Sequence, residues 1–343
     1  MEVRGGFVLA TWHWHIEISS KCTLRCPRCS RQEVPDGLVN TELDLAFFQR
    51  NFTPDFIREN VRKITFCGDD GDPIYAHDLV AVIEYIKSVY PVQIVIVTNG
   101  SYRNVLWWQG LGRFLGAQDQ VHFSIDGYDN ASNNIYRVNS DWESIMRGIQ
   151  ALRSTSPVNI TWAAIAFEFN QDHVDVMREQ ARELEMDQFQ LTRSTKFAKV
   201  YPIYGPSDAL QPRDQLISSS MRFERDIDNL SGRVLRETPF AKQHYAQAQQ
   251  NYTGDILPLC AVGNKGLFIN SQGDFFPCCW VANRYGHNTE WLDRGRAYSL
   301  KDSTLEAVLA DNFWKNEFQQ FKWLECTTKC NQKFVDENYA TSW

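Results

Sequence analysis

Nine cysteines stand in this chain of 343 residues, and three of them are crowded into one short stretch. Cys22-Thr-Leu-Arg-Cys26-Pro-Arg-Cys29 is a C-x3-C-x2-C triplet. Three thiolates this close can grip three irons of a cubane, because soft sulfur ligands suit iron-sulfur clusters and a tight loop can wrap one. The fourth iron is then left open. The competing chemistry is a structural zinc knot, which wants a fourth Cys or His at short range; His13 and His15 precede the loop. An odd number of cysteines, grouped along the chain, reads as metal ligands or catalysts in a reducing compartment more readily than as disulfides.

The elements that must position the triplet follow a regular rhythm. Strand-like runs at 12–19, 63–68, 93–99, 120–126, 158–167 and 188–192 alternate with helical periodicity near 43–50, 78–89, 103–115, 141–154 and 172–185. Six such alternations predict an α/β fold in which crossover helices join a parallel sheet, curled into a partial (β/α)6 TIM-like barrel over residues 1–200. Barrels of this kind carry their chemistry on the loops after the strand C-termini, and the triplet directly follows the first strand. Beyond 200 the rhythm breaks into a Pro-, Gly- and Gln-rich connector, partly helical, to about 255. From 256 to 343 the pattern predicts a small α+β region: two short strands around a turn at Ser271-Gln272-Gly273, then a helix near 303–323 leading into Cys326 and Cys330.

The triplet resembles the cluster motif of the radical SAM superfamily, whose open iron is chelated by the amino and carboxylate groups of S-adenosylmethionine (SAM). The likeness continues after the second strand. There Cys67-Gly68-Asp69-Asp70-Gly71-Asp72-Pro73 is similar to the family's Gly-Gly-Glu-Pro segment, with Asp in place of Glu and the glycines differently spaced. By that resemblance Gly71, Asp72 and Pro73 hold the methionine ammonium, glycine permitting close backbone approach. Thr98-Asn99-Gly100 resembles the family's turn after the third strand. Ser124 and Asp126, on one side of the fourth strand by period-2 alternation, match its ribose contacts, and Asn170, Arg193 and Arg137 are further candidate SAM contacts. Position 28, where relatives often carry an aromatic side chain near the adenine, is Arg here.

A second constellation, Cys260, Cys278, Cys326 and Cys330, looks like the opening hairpin and closing pair of a SPASM or twitch domain. Four cysteines fit the twitch form, with one fully ligated auxiliary 4Fe-4S cluster; a four-cysteine zinc site and unrelated buried thiols are the alternatives. Cys67 and Cys279 are left over, the first reading as a small buried hydrophobe and the second as inert.

By resemblance the activity is reductive cleavage of SAM to a 5'-deoxyadenosyl radical, hydrogen abstraction, and a net oxidation that uses the auxiliary cluster as electron acceptor. The substrate is a peptide or protein side chain, or alternatively a small polar metabolite such as an aminocyclitol or sugar; RNA modification and a non-catalytic electron-transfer role are the remaining readings. Partners implied are a flavodoxin- or ferredoxin-like electron donor and a separate peptide-recognition protein, since the chain begins too close to Cys22 for a fused leader-binding domain. No Asp, Glu, Lys or His stands out as the catalytic base. Net charge is −7 with 35 scattered Lys and Arg, against a dedicated nucleic-acid surface. Mean hydropathy is −0.41, with no membrane-length apolar window and no signal peptide, so a cytoplasmic location is expected. The 11 tryptophans are assigned to core packing, Trp107-Trp108 covering the barrel.

Overall fold

A computed structural model describes residues 13–33, 35–194, 208–213, 218–223, 260, 267–282, 298–314 and 326. In chain order its elements are β1 (His13–Ile16), α1 (Ser30–Glu33), α2 (Leu45–Asn51), α3 (Pro54–Asn60), β2 (Lys63–Phe66), a 3-10 turn (Pro73–Tyr75), α4 (Leu79–Val89) and β3 (Gln93–Thr98). Then come α5 (Val105–Gly112), β4 (Gln120–Ser124), α6 (Asn130–Tyr136), α7 (Trp142–Thr155), β5 (Asn159–Ile165), α8 (Val174–Glu183) and β6 (Gln188–Thr192). The last are β7 (Ser219–Arg222), β8 (Leu267–Ile269), β9 (Phe275–Phe276), α9 (Cys279–Ala282) and α10 (Leu305–Ala310). The fold is α/β, with parallel strands joined through helices. Two compact units divide the chain: Met1–Lys21 with Asp36–Ile94 and Leu235–Ala340, and Cys22–Pro35 with Val95–Val234 and Thr341–Trp343.

In the first unit β1 pairs in parallel with β2 on one side and β8 on the other, and β9 returns antiparallel to β8. Every residue of β1 is buried, as in parallel strands covered on both faces. Trp14 packs edge-on to Phe52 at 5.5 Å and against Phe56 and Phe275; burying each such ring contributes roughly 1.5–3 kcal/mol. Phe56 is delivered by α3, which opens with Thr53 accepting from Phe56 N and Pro54 in the first turn, where its missing N–H costs nothing. In α4 the buried Leu79, Val82, Ile83 and Ile86 form the single apolar stripe that the sequence period predicts.

In the second unit β3, β4, β5 and β6 run parallel and β7 closes the edge antiparallel to β6. Helix α7 starts at Asp141, whose side chain accepts from Ser144 N, and buries Ile145, Gly148, Ile149 and Leu152. A Cβ on Gly148 would sit 2.5 Å from Trp108 Nε1, so glycine lets the fully buried Trp108 of α5 pack directly against α7. Trp108 is thus a core residue, as expected.

All six expected strands are present: β6 fills its run of 188–192 and the other five are shorter than theirs, β4 ending at Ser124 although Ile125 N still donates to Ala163 O. The short helices α1, α3, α6 and α9 and strand β7 went unforeseen. Helix α3 was announced only by its Thr-Pro start. Strand β7 is exposed at every residue, so no alternation marks it. The turn at Ser271-Gln272-Gly273 does join two strands, but β8 also lies in register beside β1, with His15 opposite Phe268, a pairing between distant parts of the chain that local pattern cannot reveal. No described helix is long and apolar enough to cross a membrane.

Candidate functional site

In the second unit the cysteine triplet sits on a loop held from both sides. Arg25 N donates to Val138 O at 3.0 Å and Asn139 Nδ2 to Thr23 O at 2.9 Å, while Cys29 N donates to Cys26 O and Cys29 O accepts from Gln32 N and Glu33 N at the start of α1. Leu24 and Cys26 are buried with Tyr136 and Phe167, and half-buried Cys22 and Cys29 join the same cluster with Ile165, Phe169 and Leu210. Three sulfurs therefore share one apolar-walled pocket of chain. Burial pushes the Cys26 thiol up to about 11, against the pull of Arg137, so an ionised sulfur here calls for a strong positive centre.

Polar groups from the strand ends surround this loop. Asn99, after β3, points Nδ2 at Cys22 Sγ, 3.8 Å away, while its Oδ1 accepts from Ser101 N at 2.9 Å. Arg137 Nε donates to Asp126 Oδ2 at 2.5 Å, and Asp126 Oδ1 accepts from Ile165 N at 2.6 Å. Asp126 is fully buried; burial raises its pKa and Arg137 opposes the rise. Asn170 is equally buried, taking Phe167 N on Oδ1 and donating to Asp126 O and Ile165 O. Both residues therefore tie the loops after β4 and β5 together. Ser124 is half-buried at the end of β4, and Arg193 N donates to Ser218 Oγ beside β7. Arg28 pairs with Asp208 at 2.6 Å, both side chains nearly inaccessible.

In the first unit the Gly71-Asp72-Pro73 segment follows β2. Asp72 N donates to Lys21 O at 3.0 Å, one residue before Cys22, and Asp72 Oδ1 accepts from Ile74 N to start the 3-10 turn. A Cβ on Gly71 would fall 2.2 Å from Ser19 O, a backbone approach only glycine allows. Beneath the segment lies Glu17, a residue that sequence reasoning missed: its Oε1 accepts from Asp70 N at 2.6 Å and Gly71 N at 3.2 Å. Burial first, then the nearby Asp70 and Asp69, push its carboxyl up to about 8. A lone acid in the apolar run Ile16-Glu17-Ile18 was the available signal, since a buried carboxyl must find partners. His15 bonds Cys67 O at 2.8 Å and His13 bonds Thr65 Oγ1 at 3.1 Å. Burial lowers His15 to about 4. Cys67 sits just past β2, its thiol pushed up by burial.

No family model matches the chain, and no curated protein sequence does. Solved structures do. Streptococcus suis SuiB bound to S-adenosylmethionine superposes with a TM-score of 0.52 at 12% identity, over 91% of this chain and 65% of SuiB. Native anSMEcpe with bound AdoMet gives 0.52 at 16% identity, over 93% and 86% of the two chains, and anSMEcpe with AdoMet and the Kp18Cys peptide gives 0.52 at 17%. The fold is an α/β partial barrel shared with these AdoMet-bound proteins. At these identities the likeness is one of fold, and this chain spans just under two thirds of SuiB.

The residues on the triplet loop fit an iron-sulfur cluster. Three soft donors, an amide N–H and a guanidinium to offset thiolate charge, and apolar walls are the surroundings such a group needs. Among the described residues no three His, Cys, Asp or Glu side chains close round a single metal ion. Of the second constellation, Cys260 and Cys326 are buried and Cys278 half-buried, all without disulfides, and Cys330 lies outside the described residues. Cys279, at the start of α9, is buried and packs with Phe268 and Phe276.

Proposed function

We propose that this chain is a radical SAM enzyme that holds a 4Fe-4S cluster on Cys22, Cys26 and Cys29 and carries out a net oxidation, a dehydrogenation or a crosslink, of a peptide or protein side chain. The observation behind it is the three-cysteine loop, with Cys26 buried, Cys22 and Cys29 half-buried and Asn99 Nδ2 at 3.8 Å from Cys22 Sγ, set at strand C-termini where barrels of this type work. When bound, the cluster and SAM supply a reductive cleavage whose 5'-deoxyadenosyl radical takes a hydrogen atom from substrate carbon.

The chain's own residues do the rest. Asn99 and Arg137 face sulfur and offset its charge, which eases reduction of what the cysteines ligate. Leu24, Tyr136 and Phe167 keep water from the loop. Gly71 and Asp72 offer a backbone edge and a carboxylate to the SAM ammonium, and Glu17 fixes that segment from below. Ser124 serves the ribose; Asp126 and Asn170 hold the loops that carry Arg137, and Arg193 is a further polar contact for SAM. Cys260, Cys278, Cys326 and Cys330 ligate an auxiliary 4Fe-4S cluster fully, so no iron there is open to substrate and the site serves to receive an electron. A peptide substrate is supported by anSMEcpe, a protein of like fold that binds AdoMet together with a peptide.

The test is anaerobic incubation of the iron-loaded chain with SAM and dithionite. Wild type yields 5'-deoxyadenosine and the Cys22→Ala/Cys26→Ala/Cys29→Ala variant yields none. A fully iron-loaded wild type that yields none in the presence of candidate peptides contradicts the reading.

A further inference from the structure

The two faces of the β1–β2 pair in the first unit differ in kind. One presents Trp14 and Phe66 to the rings of Phe56 on α3 and Phe48 on α2. The other, by strand alternation, carries His13 and His15 on β1 and their register partners Lys63 and Thr65 on β2. Contacts bear this out: His13 Nε2 lies 3.1 Å from Thr65 Oγ1, and the His15 ring stands edge-on to Phe268 of β8 at 4.9 Å. Parallel strands covered on both faces are ordinarily apolar on both, yet His13, His15 and Thr65 are buried here. Lys63 is the one Lys or Arg on this face among the described residues. It is half-buried, and its ammonium makes no hydrogen bond or ion pair with any described residue. Burial alone lowers it to about 8, with no carboxylate near enough to oppose the fall. Glu17, the acid on the same face of β1, is turned to the Asp70-Gly71 backbone. His15 adds no second charge: its Nε2 meets Cys67 O, which can only accept, and burial, with Lys63 nearby, lowers the imidazole to about 4. A cation withdrawn from water without a counter-ion is costly, and such groups mark binding sites.

We propose that this face is a carboxylate subsite, with the Lys63 ammonium as its cation and His13 and Thr65 as its polar wall, that holds an acidic side chain or the C-terminal carboxylate of the peptide substrate. The inference rests on the peptide substrate proposed above and adds its charge. One ammonium beside a neutral imidazole balances one negative charge, which matches a carboxylate; a phosphate brings more than that. Binding should follow the protonation of Lys63. The titratable groups beside it are His13 and His15 on β1, with Glu17 and Cys67 further along the same face. Strand β8 adds only apolar side chains, and Gln93 of β3, whose N donates to Arg62 O, is uncharged.

The experiment is calorimetric titration of the iron-loaded chain, with SAM and no reductant, at millimolar ligand. The probes are acetyl-Gly-Glu-Gly-amide, its Gln counterpart, acetyl-Gly-Gly-Gly with a free C-terminal carboxylate, and inorganic phosphate. At about pH 7 wild type is expected to bind one of the two carboxylate peptides about tenfold more tightly than the Gln peptide, and which one identifies the source of the carboxylate. Lys63→Met should abolish the preference and Lys63→Arg should keep it. Raising the pH to about 9.5, above the Lys63 value near 8, should shrink the preference in wild type. The same change should leave Lys63→Met unaltered, a control for Glu17, which ionises over the same range. Three results overturn the subsite: equal or no binding of charged and uncharged peptides by wild type, tighter binding of phosphate than of either carboxylate, or a preference that survives Lys63→Met. Wild type alone decides the first two. A chain that prefers the carboxylate but yields no 5'-deoxyadenosine overturns the proposed function instead and leaves the subsite standing.

Discussion

Glu17 shows how much one buried side chain can organise. Its carboxyl accepts two backbone N–H groups from the Asp70-Gly71 segment while facing Asp69 and Asp70 as like charges. With the folded pKa near 8 against an ordinary value of 4.5, the folded state binds the proton more tightly than the unfolded one. Stability from this group is complete below about pH 4.5 and is lost as pH rises through 8. The melting temperature of the iron-free chain should therefore fall between pH 5 and pH 8.5 (about the span between those two values) in wild type, and fall less in Glu17→Gln, which keeps the acceptor without the charge. In the loaded chain Glu17→Gln should bind SAM about as wild type does, and Glu17→Ala about tenfold more weakly at unchanged iron content, because two N–H groups lose their acceptor. Equal SAM affinity in all three proteins would remove Glu17 from the site. The grouping of Cys22, Cys26 and Cys29 was legible, since their spacing already puts the three on one loop; Glu17 was not, because its partners are backbone groups that only the fold brings near.

Among the elements, the short stretch 208–213 matters beyond its length. Asp208 pairs with Arg28 inside the triplet, Leu210 packs in the cysteine cluster and its carbonyl accepts from Glu168 N, and Arg213 bonds Gln171 Oε1 and pairs with Asp172. A piece of what composition marks as connector thus covers the loop. Arg28→Ala leaves Asp208 charged and buried, so it should cost about 3–5 kcal/mol in chemical denaturation, whereas Arg28→Met/Asp208→Leu should cost far less or nothing. Equal losses in the two variants would mean that the pair acts by packing alone. The substitution of Arg for an aromatic at position 28 was visible in the sequence, but its acidic partner was not, because the two lie far apart along the chain. For the same reason β1 to β6 could be read from their periods, while β7, exposed and paired only at one edge, and the parallel seating of β8 on β1 could not.

At the scale of the whole molecule, the strand and helix rhythm and the cysteine spacing converge on one fold, and three AdoMet-bound structures share it at 12–17% identity. That so little sequence is held in common is physically reasonable: parallel strands ask only for buried apolar side chains, and a cluster loop asks for three cysteines and a lining that excludes water. Substrate was the least legible feature, since specificity depends on side chains gathered from many loops. The central claim concerns how the cysteines are used, with one cluster on the triplet and one on the C-terminal set. Iron and sulfide per chain, measured after anaerobic reconstitution of wild type and of Cys22→Ala/Cys26→Ala/Cys29→Ala, test it most directly. The expected result is about eight irons falling to about four. About four irons falling to none, with zinc retained, would contradict it and leave the proposed oxidation without its electron acceptor.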